Sequence, residues 1–374
     1  MSTSGMAGTA LPAMDVAGRI PRLRERFDDA GIRALLVTRL PNLRYLTGFT
    51  GSAGMLLVTP NDAVLVIDGR YREQAGEQLA ASGVPVRVDV GISQARQREI
   101  LGALTAEVSD MGLEAHGVTW AQQREFASAW FADAELLATH DLVEDLRMAK
   151  DPGEVARIRA ACAIADDALA AVLPTLVDRP TERAFALRLE FAMRERGADA
   201  MSFEPIVASG PNGAKPHARP TDRQIEPGEL VVVDFGCVVE GYCSDMTRTV
   251  SVGEPSEEAR RVWETVREAQ AAGRDALGPG VELSAVDAAA REVVTAAGWG
   301  DAFSHGTGHG VGLEIHEAPR VAATSSGTLG VGHVVTVEPG VYLPGLGGVR
   351  IEDTLVVTPE GPLSLTEFPK ELCA

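Results

Sequence analysis

The run Leu230-Val-Val-Val-Asp234-Phe-Gly236 reads as a strand buried on both faces, yet it carries an acid in its interior. Aspartate suits neither strand propensity nor burial, so its charge must be compensated. The next strand-like string, Tyr242-Cys-Ser-Asp245-Met-Thr-Arg248, holds a second acid. A tight hairpin centred between Val239 and Glu240 would set Asp234 and Asp245 opposite each other on one face, where like charges repel unless a cation intervenes. The arrangement recurs in Val334-Val-Thr-Val-Glu338-Pro-Gly340 and Val349-Arg-Ile-Glu352-Asp353, joined through Gly345, Gly347 and Gly348. Four carboxylates are thus expected to converge. Between the hairpins runs His305-Gly-Thr-Gly-His309-Gly-Val-Gly312, followed by Glu314 and His316-Glu-Ala-Pro319. Glycines let the backbone pass close to a ligand, and a neutral imidazole from His309 suits a metal.

Two divalent ions would neutralise the four carboxylates. A mainly oxygen donor set with one histidine suits Mn2+, or Co2+ and Zn2+ at higher affinity. In such sites the ions lie roughly 3.5 to 4 Å apart and act as Lewis acids and hydroxide source together.

A length of 374 residues favours two domains. The first third alternates short apolar strands (34–38, 54–58, 63–67, 86–88) with an amphipathic stretch over 92–108, an α/β pattern. A polar run then ends in Asp151-Pro-Gly-Glu154, which predicts a helix start with Asp as N-cap, proline in the first turn and an acid three residues on. The expected domains are therefore 1–146 and 147–374. In the second, helix, helix, loop and hairpin occur twice in order, which predicts a pseudo-symmetric α+β domain.

Apolar residues make up 45% and charged residues 23%, a globular composition. The formal charge of −19 repels phosphate backbones and anionic lipid surfaces, which excludes nucleic acid and membrane surface as expected partners. No continuous apolar run is of bilayer-spanning length, and Met1 to Asp15 does not read as a secretory signal, so a cytoplasmic protein is expected. Four cysteines without CxxC spacing read as reduced thiols.

The set Asp234, Asp245, His309, Glu338 and Glu352 resembles the metal-ligand set of the pita-bread metallopeptidases, the group containing aminopeptidase P, prolidase and methionine aminopeptidase. The strings Val233-Asp-Phe-Gly236, Ser244-Asp-Met-Thr-Arg248, His305-Gly-Thr-Gly-His-Gly310, His316-Glu-Ala-Pro319, Val337-Glu-Pro-Gly340 and Arg350-Ile-Glu-Asp353 are similar to that family's. Asn42-Leu-Arg-Tyr-Leu-Thr-Gly-Phe49 and Asp68-Gly-Arg-Tyr71 resemble the N-terminal domain of aminopeptidase P, prolidase and creatinase. The resemblance implies a C-terminal pita-bread (creatinase-type) catalytic domain behind an N-terminal α/β creatinase-like domain. It also implies that Asp234 ligates one ion, that His309 and Glu338 ligate the other, and that Asp245 and Glu352 bridge both. His217, His305 and His316 are similar to substrate-binding or transition-state-stabilising histidines of the proline-specific branch, and Arg350 to an arginine near the substrate's carboxyl side.

The expected activity is Xaa-Pro aminopeptidase: hydrolysis of the Xaa-Pro bond at the N-terminus of peptides by a metal-bridging hydroxide. Glu338 would relay the proton and His316 would steady the oxyanion. Xaa-Pro dipeptidase (prolidase) is the alternative; methionine aminopeptidase, which usually lacks the first domain, and a non-catalytic binding module rank below. The resemblance further implies a homodimer.

Overall fold

The computed structural model describes residues 10–373, which divide into two compact units. The unit Ala13–Arg147 holds one six-stranded sheet in the order β4-β3-β2-β1-β5-β6. Its strands are β1 (Ala34–Val37), β2 (Met55–Val58), β3 (Ala63–Ile67), β4 (Arg87–Val90), β5 (Asp110–Glu114) and β6 (Glu135–Thr139). Helices α1 (Arg19–Arg24), α2 (Leu40–Thr47), α3 (Arg72–Ser82), α4 (Gln94–Leu104), α5 (Trp120–Glu125) and α6 (Glu144–Met148) accompany it. The sequence reading finds β1 to β4 and misses β5 and β6. Asp110-Met-Gly-Leu-Glu114 lacks β-branched residues, yet it pairs in parallel with both β1 and β6 and buries Met111 and Leu113. Burial in a parallel sheet overrides its weak local propensity.

The other unit spans Met148–Ala374 with residues 10–12. Its first helix, α7 (Pro152–Val172), opens as predicted: the Asp151 carboxylate accepts from Glu154 N at 2.9 Å, and Glu154 Oε2 accepts from Asp151 N at 3.0 Å. One expectation needs correcting. The segment Pro152–Asp178 is long and apolar enough, by length and composition, to cross a membrane. The reading for continuous apolar runs overlooked it because alanines raise the average between scattered charges. Here it is a core helix whose Ala161, Ala165, Ala168 and Leu169 are fully buried.

Helix α8 (Glu182–Glu195) completes the first helix pair, and both helices pack on the sheet β12-β9-β8, formed by β8 (Ile206–Ser209), β9 (Leu230–Phe235) and β12 (Met246–Ser251). A second pair, α9 (Glu257–Asp275) and α10 (Leu283–Ala296), precedes a five-stranded sheet in the order β14-β13-β15-β18-β19. That sheet comprises β13 (Gly308–Gly310), β14 (Glu317–Val321), β15 (Val334–Val337), β18 (Asp353–Thr358) and β19 (Gly361–Ser364). Leu283 and Val286 of α10 share a core with Val335, Val337, Leu355 and Val357. The predicted double occurrence of helix pair, loop and hairpin is thus present.

The small strands β7 (Ala200–Met201), β10 (Cys237–Val239) and β11 (Tyr242–Cys243) extend the first ribbon, and β16 (Gly340–Leu343) with β17 (Gly347–Arg350) the second. Registers decide which acids meet. In the first ribbon Val239 pairs with Tyr242 around Glu240 and Gly241, whose φ values of 44° and 82° fit a two-residue type I′ turn. The turn therefore lies one residue later than the sequence reading placed it. Asp234 pairs with Thr247, and Asp245 lies level with Gly236 rather than with Asp234. In the second ribbon Val337 pairs with Asp353 and Gly340 with Arg350, a shared register in which Glu338 and Glu352 face each other.

Candidate metal centre and its cavity

The acids converge because the two ribbons are stitched together where they carry them. Glu352 N donates to Thr247 O at 3.1 Å, and Thr247 Oγ1 donates to Glu352 Oε2 at 2.7 Å. Gly236 lets the first ribbon pinch beside Asp245: a Cβ there would lie 1.9 Å from Ser244 O. Gly308 does the same for the histidine loop, since its Cβ would sit 2.0 Å from Thr336 O. The loop is anchored from below by Asp287, which accepts from Thr307 N at 3.0 Å and Thr307 Oγ1 at 2.9 Å. Glu338 N in turn donates to Thr307 O at 2.7 Å.

The structure brings all five predicted ligand residues to one cavity of about 780 Å³. Donor atoms of Asp245, His309 and Glu352 lie within 4.8 Å of one another. His309 Nε2 stands 3.5 Å from Asp245 Oδ2 and 3.4 Å from Glu338 Oε1, while Nδ1 is 3.0 Å from Gly310 O. A carbonyl only accepts, so the network assigns the proton to Nδ1 and leaves the Nε2 lone pair facing two carboxylates. Burial holds the His309 pKa down at about 4, so the ring is neutral. Acceptors facing acceptors call for a cation between them.

The carboxylates tell the same story. Burial, then the charges of neighbouring acids, pushes Asp245 and Glu352 well above the usual carboxylate range. Glu338 is pushed up to about 8, chiefly by burial and further by Asp234, against the pull of Arg350 and a hydrogen bond from Thr336. Asp234 Oδ1 and Glu352 Oε1 are buried without a hydrogen-bond partner. Each such orphan costs about 1–3 kcal/mol, and divalent cations would satisfy them. The donor set fits the expected ions on these grounds.

The remaining predicted residues line the same cavity. His316 is exposed to it, its ring 4.3 Å from that of His309. His217 is exposed in the loop after η-turn 210–214. His305 is half-buried with both nitrogens engaged, Nε2 at 2.9 Å from Tyr342 Oη and Nδ1 at 2.8 Å from Gly306 O. Arg350 is buried, and its donors reach Asp234 Oδ2, Tyr342 Oη at 2.8 Å, Thr247 Oγ1 at 3.1 Å and Pro216 O at 3.2 Å. Its guanidinium is therefore committed to the wall of the site.

Two residues were missed by the sequence reading. Tyr342 links Arg350 to His305. Arg320 lines the cavity, exposed, and pairs with no carboxylate among the described residues. A signal existed for Arg320: strand alternation puts His316, Ala318 and Arg320 on one face, and all three line the cavity.

Residues 156–359 match the model of metallopeptidase family M24, and residues 19–149 match that of the creatinase/prolidase N-terminal domain. An Xaa-Pro dipeptidase from Bacillus anthracis has a similar structure, with a TM-score of 0.90 and 41% identity, covering 96% of this chain and 99% of its own. The Xaa-Pro dipeptidase of Pyrococcus horikoshii is 35% identical over 96% of this chain and 100% of its own length. An X-Pro aminopeptidase from Thermotoga maritima has a TM-score of 0.84 at 35% identity, covering 94% and 99%.

Proposed function

This chain belongs to metallopeptidase family M24 and carries a creatinase/prolidase-type N-terminal domain, and from that premise we propose that it is an Xaa-Pro dipeptidase. The order expected from the sequence, aminopeptidase first, is reversed. Two relatives of high coverage are dipeptidases by name. The observation that carries the choice is Arg320, a cation on the cavity wall that pairs with no carboxylate among the described residues. An Xaa-Pro dipeptide differs from a longer peptide in presenting a free carboxylate directly after proline, and a guanidinium is the group to receive it.

Asp234, Asp245, His309, Glu338 and Glu352 would hold two divalent ions, Mn2+ first. Such ions supply Lewis acidity and acidify a bound water. The chain's own residues do the rest. The Xaa-Pro nitrogen has no hydrogen and must gain a proton as its bond breaks. Glu338, in the same cavity, would relay that proton. His316, beside His309, donates to the developing oxyanion. His217 contributes from the facing loop, while His305 and Arg350 form the substrate-facing wall with Tyr342 between them. The unit Ala13–Arg147 is the N-terminal domain, and the unit Met148–Ala374, with residues 10–12, carries the catalysis. All four cysteines are free thiols, which suits a reducing compartment such as the cytoplasm.

A second reading, removal of the first residue from longer Xaa-Pro peptides, is favoured by the likeness to the Thermotoga structure. Hydrolysis of Ala-Pro and Ala-Pro-Ala with Mn2+, each with and without chelator, separates the two. The dipeptide is expected to be preferred, chelation to stop both reactions, and Arg320→Met to raise the dipeptide KM by about tenfold or more, the worth of a charged hydrogen bond. Faster tripeptide turnover, with Arg320→Met neutral on the dipeptide, would install the aminopeptidase instead.

A further inference from the structure

Arg248 and Asp353 close two of the strings that carry site acids, yet neither lines the cavity. Both are almost fully buried behind it. The Arg248 guanidinium donates through Nη1 to Thr247 O at 3.0 Å and to Glu352 O at 2.5 Å. One side chain thus grips the backbones of both acid-bearing ribbons. Through Nη2 it reaches Asp353 Oδ1 at 2.9 Å and Phe368 O at 2.6 Å, and Nε reaches Phe368 O at 3.1 Å and Pro369 O at 3.3 Å. Asp353 in turn accepts from Gln270 Nε2 at 2.9 Å and Thr366 Oγ1 at 3.0 Å, and pairs with Lys370 Nζ.

We propose that the segment Thr366–Lys370 is a clamp for the metal centre. Through Lys370, Thr366 and the carbonyls of Phe368 and Pro369 it holds the Arg248–Asp353 pair, and that pair sets the separation of the ribbons bearing Asp245 and Glu352. Two considerations favour a positioning role over simple packing. The clamp's acid and base are the immediate sequence neighbours of Glu352 and Thr247, the two residues that stitch the ribbons. The group also sets two cations against one carboxylate beside four site acids, so it offsets part of their repulsion without occupying the place of an ion. Outer partners of this kind typically change metal affinity by about 10- to 100-fold when removed.

The clamp rests on the metal reading of the site, so the test measures metal uptake directly. Mn2+ titration of the chelator-stripped full chain, by calorimetry well below its melting temperature, is compared across variants. Lys370→Gln and Thr366→Val are each expected to weaken Mn2+ binding by about tenfold, Lys370→Arg to restore it, and Glu371→Gln, an exposed tail residue, to leave it unchanged. A Lys370→Gln chain that binds Mn2+ as tightly as wild type, or a loss that Lys370→Arg does not restore, overturns the clamp while the metal reading stands. A wild-type chain that takes up no Mn2+ overturns both.

Discussion

Each of the two units buries a cluster of acids, and the clusters are wired in opposite ways. In the unit Ala13–Arg147, Glu114 accepts from Thr38 N at 2.6 Å, Arg39 N at 2.8 Å and Asn42 Nδ2 at 2.7 Å. Glu144 accepts from Asn42 Nδ2 at 2.8 Å and pairs with Arg39, while Arg147 Nη1 donates to Asn42 Oδ1 at 2.8 Å. Both carboxylates accept from donors: backbone N–H groups and the Asn42 amide for Glu114, and the Asn42 amide with the Arg39 guanidinium for Glu144. In the unit Met148–Ala374, four carboxylates meet one guanidinium, that of Arg350, and two of their buried oxygens, Asp234 Oδ1 and Glu352 Oε1, have no hydrogen-bond partner among the described residues. A buried acid surrounded by donors is structural; a buried acid facing other acceptors is waiting for a ligand.

The contrast is broken most directly by removing one acid from each cluster. Glu338→Gln is expected to lower kcat by about 10²- to 10⁴-fold, the worth of a proton-transferring group, and to leave the melting temperature of the chelated protein unchanged at neutral pH, where the buried Glu338 carboxyl already holds its proton. A chelated Glu338→Gln protein that melts well below wild type would erase the distinction.

Next in size is a pH effect. Glu338 titrates in the folded, metal-free chain at about 8 against 4.5 for the free side chain. Folding therefore takes up a proton between those values, and the stability this group contributes is present below the lower value and lost as pH rises through the upper one. His305 and His309, held near 4 by burial, act in the opposite sense at lower pH and have largely finished by neutrality. Thermal unfolding of the chelated protein is expected to show falling stability from pH 7 upward through about 8. Stabilisation by added Mn2+ should grow over the same interval, since ions need the deprotonated ligands. A flat profile would count against the raised Glu338 pKa.

The smallest effect tests the other cluster. Glu114→Gln is expected to destabilise the protein by about 1–3 kcal/mol, the usual cost of spoiling a buried hydrogen-bond set, with hydrolysis per folded molecule unchanged. Urea unfolding and steady-state assays measure the two arms, and a selective loss of activity would reassign Glu114.

Much of this site was legible before any coordinates. Acids inside apolar strands are physical contradictions that point to a ligand, so Asp234, Asp245, Glu338 and Glu352 announce themselves, as does the glycine-spaced His309. Capping is equally local, and Asp151 behaves as its neighbours Pro152 and Glu154 predict. The first ribbon's turn was placed one residue early, which moves the partner of Asp234 by two residues from Asp245 to Thr247, because Glu240 carries a positive φ, a conformation that a non-glycine residue does not advertise. Strand β5 escaped because burial in a parallel sheet, rather than residue type, holds it, and the edge strand β6 because its pairing with β5 does.

By itself the sequence determined the donor chemistry, the turns and caps that initiate each element, and the glycines that let chains approach closely, because each depends on residue type and short spacing. Tertiary structure alone decided that Glu338 faces Glu352 while Asp234 faces Thr247, that Arg350 is committed to Asp234 and Tyr342, that Arg320 lines the cavity with no carboxylate partner among the described residues, and that the tail reaches Arg248 and Asp353. Those contacts join residues as many as 121 positions apart. No local pattern encodes them, since packing of whole ribbons and helices selects which distant partners come within hydrogen-bonding distance.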